Sequence, residues 1–228
     1  MKITWLGQAG LLFEGPSLTV MIDPYLSDCV AKVNPENARR VPVDETLFDL
    51  SPDVMLFTHD HLDHYDPETA PRFLSKTEKK MTVLCPTSVW QKARRCGGGH
   101  NYVEFNRHTE WTEGDLRFTA VKATHSDPYA IGVLIEDLAE GKTYYVTGDT
   151  LYNSEIFADL PKRIDVIFLP VNGLGNNMNM TDAARFVKDS GARLAVPFHC
   201  GLFDDLDLNQ FPHEPKITPN FYKEIKLK

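Results

Sequence analysis

The segment Thr58-His59-Asp60-His61-Leu62-Asp63-His64 gathers three imidazoles and two carboxylates directly after the apolar run Val54 to Phe57. In extended chain, residues two apart point the same way, so His59 and His61 leaving a strand end can close on one cation. Asp63 and His64 lie past that stretch. If the chain turns there into a helix over 67–75, this adjacent pair is carried sideways to serve a second cation. Neutral imidazole and carboxylate suit zinc, iron or manganese. Thiolate, the ligand of closed structural zinc sites, is missing, and an open catalytic site is the expectation. Three further strand ends each offer a ligand: His125 in Ala-Thr-His-Ser-Asp, Asp149 in Thr-Gly-Asp-Thr and His199 in Val-Pro-Phe-His-Cys. Layered α/β folds collect ligands at strand ends, where loops converge on a rigid sheet.

The elements that must position these groups follow from the apolar pattern. Short apolar or β-branched runs predict strands over 3–6, 11–14, 18–22, 54–58, 81–84, 116–123, 130–135, 143–147, 166–171 and 194–198. Helices are predicted over 67–75, 88–95, 154–160 and 181–190, the last opened by Thr181 as N-cap and stopped by Gly191. Hairpin-like strands followed by alternating strand and helix give an α/β layered fold with mixed sheets.

The chain has 228 residues, of which 42% are hydrophobic and 25% charged, which excludes disordered, collagenous and coiled-coil classes. Without repeats or linkers, residues 1–228 read as one domain. Nothing approaches the roughly 20 apolar residues of a membrane span, and the start lacks a signal-peptide pattern, so a cytoplasmic protein is expected. With 24 Lys+Arg against 32 Asp+Glu the net charge is -8, which disfavours nucleic acid as a partner. A small-molecule substrate is expected instead, and the oligomeric state stays open. Cys29, Cys85, Cys96 and Cys200 form no CxxC pair and read as reduced packing residues. Arg39 with Arg40, or Lys92, Arg94 and Arg95, offer a phosphate handle. A charged helix face ending in glycine also reads simply as a solvated terminus.

The order HxHxDH, lone His, Gly-Asp, last His resembles the metallo-β-lactamase superfamily. The resemblance runs from Trp5-Leu6-Gly7-Gln8-Ala9-Gly10 and Ile22-Asp23-Pro24 through His199. It implies a four-layer αββα sandwich in which His59, His61 and His125 hold one metal, Asp63, His64 and His199 hold a second, and Asp149 bridges them. Trp-Leu-Gly-Gln-Ala-Gly, Leu169-Pro170-Val171-Asn172-Gly173 and Asn177-Met178-Asn179-Met180-Thr181 look most like the L-ascorbate-6-phosphate lactonase group and its metal-dependent hydrolase relatives. The lactonase proper is a considerably longer chain, so its particular lactone does not carry over. Only residues 200–228 follow His199, too few for the helical domain that glyoxalase-type thioesterases add there.

The chemistry implied is that of two divalent ions, Zn2+ or Mn2+, sharing a water whose pKa falls towards neutrality. The resulting hydroxide would attack a small polar ester or lactone, a phosphorylated sugar lactone among them, with Asp63 and Asp149 as catalytic carboxylates. Asp63 could also pass a proton to the leaving group. Asp23 either accepts a hydrogen bond from a ligating imidazole or forms an Asx turn before Pro24. Gln8, Asn172, Asn177 and Asn179 are neutral amides suited to substrate contacts, although Asn172-Gly173 also reads as a turn. Two alternatives stand beside this reading: a phosphodiesterase acting on a cyclic nucleotide or lipid-derived diester, and a non-catalytic metal-binding module.

Overall fold

The computed structural model describes residues 1–227, in which two six-stranded sheets face each other. The first contains β1 (Lys2–Gly7), β2 (Gly10–Glu14), β3 (Thr19–Ile22), β4 (Val54–Leu56), β5 (Thr82–Cys85) and β6 (Asn101–Glu104), in that spatial order. The second contains β7 (Glu110–Glu113), β8 (Leu116–Lys122), β9 (Ile131–Asp137), β10 (Lys142–Val146), β11 (Val166–Pro170) and β12 (Ala195–Phe198), again ordered as in the chain. Each sheet is mixed. β1 to β3 pair antiparallel and β3 to β6 parallel, while β7 to β10 pair antiparallel and β10 to β12 parallel.

The period of two along the strands sorts side chains between layers. Val20, Ile22, Val54, Leu56 and Leu84 join Phe118, Val133, Ile135 and Tyr144 in a core between the sheets. Their intervening neighbours Met21, Met55 and Val83 pack on the outer face against Phe73 and Leu74 of α2 (Thr69–Leu74) and Val89 of α3 (Thr87–Arg94). On the other flank, α4 (Met180–Ser190) buries Ala183, Phe186 and Val187, an i, i+3, i+4 stripe. Phe186 lies 6.4 Å, centroid to centroid, from Tyr145 of β10. Helix, sheet, sheet and helix are the four layers that the sequence implies.

Three local expectations are corrected. The segment predicted as a helix over 154–160 is a 3-10 turn, Ser154–Asp159, because Leu160 precedes Pro161 and is held extended at φ -87 and ψ 144. The cap of α4 is Asn179, whose carboxamide oxygen accepts from Thr181 N and Asp182 N at 2.9 Å each, so Thr181 sits inside the first turn. β6 and β7 escape the apolar pattern because they are edge strands without a buried residue. The stop at Gly191 holds, with φ +70. A short α1 (Cys29–Val33) follows β3 and was not legible as a helix.

Candidate metal centre

All the strands that present chemistry run in one direction towards one edge of the sandwich. His59 to His64 follow β4, His125 follows β8, Asp149 follows β10 and His199 follows β12. Asp23 and Asn172 emerge from the adjoining ends of β3 and β11. The first motif turns at once, since His64 N and Tyr65 N both donate to His61 O, at 3.0 and 2.8 Å. Asp66 then starts α2 by accepting from Glu68 N and Thr69 N. That turn brings His64 back beside His59, ring centroids 3.9 Å apart, while Asp63 is carried towards His199.

The donor atoms form three overlapping groups: His59 with His61 and His125, His59 with His64 and Asp149, and Asp63 with His64 and His199. Within each group one donor atom per residue lies within 4.8 Å of the others. His61 Nδ1 stands 3.1 Å from His125 Nε2, and His64 Nε2 stands 3.1 Å from His199 Nε2. Asp149 Oδ1 is 3.2 Å from His64 Nε2 and 3.1 Å from His199 Nε2, and Asp63 Oδ2 is 3.5 Å from His199 Nε2. Tetrahedral bonds of about 2.0–2.1 Å to zinc put neighbouring donors about 3.3 Å apart, so these separations fit shared cations. His59 Nε2 and Asp149 Oδ1 are buried yet have no hydrogen-bond partner, which isolated polar atoms avoid. A divalent ion satisfies both.

Protonation divides the cluster: burial opposes charge on His64, but the Asp149 and Asp23 carboxylates outweigh it and raise that imidazole well above its ordinary pKa. Burial pushes the His59 imidazole well below its ordinary pKa, aided by the neighbouring His64, so the ring is neutral, the form that can ligate a cation. Burial opposes ionisation of Asp149, but the His199 and His64 imidazoles outweigh it and hold the carboxyl well below the usual range. Asp149 Oδ2 accepts from Asn177 Nδ2 at 2.7 Å, leaving Oδ1 to face the histidines.

The supporting contacts explain several amides. Asp23 is buried, with φ +42, and accepts from Thr58 N at 2.8 Å, Thr58 Oγ1 at 2.5 Å and His64 Nδ1 at 2.8 Å. Nδ1–H directed at Asp23 leaves Nε2 facing the cluster, where a cation would replace the second proton that Asp149 and Asp23 favour on this ring, and the contact to Thr58 had no signal in the sequence. The side chains of Gln8 and Asn172 lie 3.3 and 3.2 Å from His199 Nδ1, and Gln8 Nε2 donates to Asp63 Oδ2 at 2.9 Å. Asn177 is brought to the site but as a support for Asp149, its oxygen accepting from Thr150 N at 3.0 Å. Asn179 caps α4, which engages its carboxamide oxygen. Ser126 Oγ, 3.1 Å from His61 Nε2, is a neighbour that the sequence pattern did not single out.

Gly148 shows why the Asp149 loop needs glycine. It sits at φ +59, and a Cβ there would approach Ile131 O to 2.6 Å. The cations proposed as a phosphate handle are also corrected. Arg39 donates to Tyr25 O, Val41 O and Tyr222 Oη, Arg40 pairs with Asp205, Lys92 pairs with Asp60, and Arg94 lies over the Trp90 ring. Those four are held by local partners, and neither they nor Arg95 line the cavity at the cluster.

Two facing mixed sheets with a His/Asp cluster at the edge where their strands end define the metallo-β-lactamase fold. A family described as Beta-lactamase superfamily domain matches residues 19–200. A UPF0173 protein of Pyrococcus furiosus is 31% identical over 94% of this chain and 90% of its own. A UPF0173 metal-dependent hydrolase of Ligilactobacillus salivarius is 29% identical over the whole of both chains. The solved structure of Igni18, a metallo hydrolase from Ignicoccus hospitalis, superposes with a TM-score of 0.75 at 20% identity, covering 100% of this chain and 99% of that one. The chain belongs to the metallo-β-lactamase superfamily and, within it, to the UPF0173 metal-dependent hydrolase family. Among the described residues no helix is long and apolar enough to cross a membrane.

Proposed function

We propose that this metal-dependent hydrolase is binuclear, holds Zn2+ or Mn2+, acts as one catalytic unit and opens small esters or lactones. The observation that carries the reading is the fit of the donor spacing, 3.1–3.5 Å, at a site open to a cavity. His59, His61 and His125 would hold one ion and Asp63, His64 and His199 the other, with Asp149 between them. Bound there, the ions supply an acidified water near neutral pH and a Lewis acid for the developing oxyanion.

The chain's own residues order that chemistry. The Asp63 side chain is 20% exposed against 5% for Asp149, so Asp63 is the carboxylate that can accept the proton of the attacking water and pass it to the leaving oxygen. Gln8 donates to Asp63 and so fixes its direction. Asp23 and Asn177 hold His64 and Asp149 still, so the site is organised before substrate arrives.

The test measures metal content by plasma mass spectrometry on protein purified without chelator, alongside His199→Ala and Asp63→Asn. Two equivalents in the native protein, falling towards one in His199→Ala, are expected. Asp63→Asn should fold yet lose about 100-fold or more of lactone turnover. One equivalent in the native protein, unraised by added zinc or manganese, overturns the binuclear reading. Turnover confined to bis-p-nitrophenyl phosphate overturns the ester and lactone assignment.

A further inference from the structure

The cavity that opens on the cluster measures about 200 Å³, below the roughly 300–1,000 Å³ of drug-sized sites. Its floor is polar, made by four of the seven candidate donors and the amides of Gln8, Asn172 and Asn177. Its mouth is different. Val30, Leu174 and Phe203 supply apolar wall, and Leu174 is 65% exposed although it is a large aliphatic side chain. The one charged group at the mouth is Asp204, fixed by accepting from Gly201 N and Leu206 N at 2.9 Å each. Among the described residues no lysine or arginine lines this cavity.

A site for a phosphorylated substrate converges cationic side chains or backbone N–H groups on the phosphate. Here the mouth presents aliphatic and aromatic carbon, the neutral amide of Asn37 and a carboxylate, and the carboxylate repels a phosphate dianion. We infer that the substrate carries a neutral apolar substituent of a few carbons beside its scissile carbonyl, and no anionic handle. This rests on the ester and lactone reading above. It narrows that reading to hydrophobic, uncharged acyl or lactone substituents, and it removes the phosphorylated sugar lactones that the sequence had allowed. Val30 and Phe203 are the surfaces that would cover the substituent. Leu174 borders it from the loop after β11.

The experiment uses the zinc-loaded protein and two hydroxamic acids of equal chain length, which bind metal through the same head group. One ends in methyl and the other in phosphonate. Calorimetric titration should show the methyl-ended ligand binding about tenfold or more tightly. Leu174→Lys, on an exposed loop, should narrow or reverse that ratio. Equal or tighter binding of the phosphonate by the native protein overturns the inference, as does failure of both ligands to bind while zinc is taken up. Zinc titrated alone separates the two levels: failure of the protein to take up zinc sinks the metal reading itself, and the inference with it.

Discussion

Asp23 shows how much one side chain outside the ligand set controls. Its carboxylate ties the end of β4 through Thr58 and orients His64 through Nδ1, so three elements meet on two oxygens. Asp23→Asn keeps the volume but replaces one acceptor with a donor, so His64 loses the partner that fixes its tautomer. Supports of this kind typically govern metal affinity 10–100-fold, and a loss of about that size is expected for this variant. Competition with a chromophoric chelator measures it, and unchanged affinity would reduce Asp23 to a turn former. The left-handed backbone at Asp23, Gln8 and His199, with φ +42, +46 and +61, falls at this one edge, where non-glycine strain is retained because the site needs those directions.

At the scale of elements, two short segments hold the loops that hold the ligands. Asn179 caps α4, and Asn179→Ala should cost about 1 kcal/mol, read from the urea midpoint, with metal content unchanged. An unaltered midpoint would mean that water satisfies the freed N–H groups. Asp159 ends the 3-10 turn and accepts from Arg107 Nε at 2.7 Å and Lys122 N at 2.8 Å, joining that turn to the end of β8, three residues before His125. The Arg107 guanidinium, opposed by burial and helped by Lys122 N, holds the Asp159 carboxyl well below its ordinary 3.8. A depressed carboxyl stabilises the fold fully above its ordinary pKa, and the contribution fades as pH falls towards the folded value. Asp159→Asn should therefore unfold at lower urea than the native protein at pH 7, with the gap narrowing below about pH 4. A gap independent of pH would assign the loss to packing.

Across the whole molecule, the centre couples the two sheets, because β4 belongs to one while β8, β10 and β12 belong to the other. Ions that bind only the folded state add stability by mass action, about 2.7 kcal/mol at 100 times the dissociation constant. For a chain of this size that is on the order of 5–10 °C. Chelation followed by a thermal scan should lower the melting temperature by about that amount, and added zinc or manganese should restore it. No shift would mean that the sheets close without the ions. The segment after His199 also acts at this scale. Tyr222 N donates to Trp5 O and Ile225 N to Ile3 O, covering the edge strand β1, and Phe221 stacks on Trp5 with centroids 4.3 Å apart. This strap steadies the turn that brings Gln8 to Asp63.

What was legible in the residues was local. Strand periods, the turn after His61, the stop at Gly191 and the ordered His and Asp pattern depend on neighbours in the chain, so the layered fold and the candidate ligands could be read from them. Edge strands β6 and β7 bury no residue and left no apolar signal. Long-range geometry decided the rest. Asn177 sits 28 residues from the Asp149 that it supports, and Gln8 sits 55 from Asp63, so no local pattern could assign either contact. Arg39, Arg40, Lys92 and Arg94, counted in the sequence as a phosphate handle, became partners of carboxylates, carbonyls and an aromatic ring once the chain folded. The residues determined which atoms were available for chemistry, and tertiary packing decided which of them face one another, because contact energies act through space while sequence fixes only neighbours along the backbone.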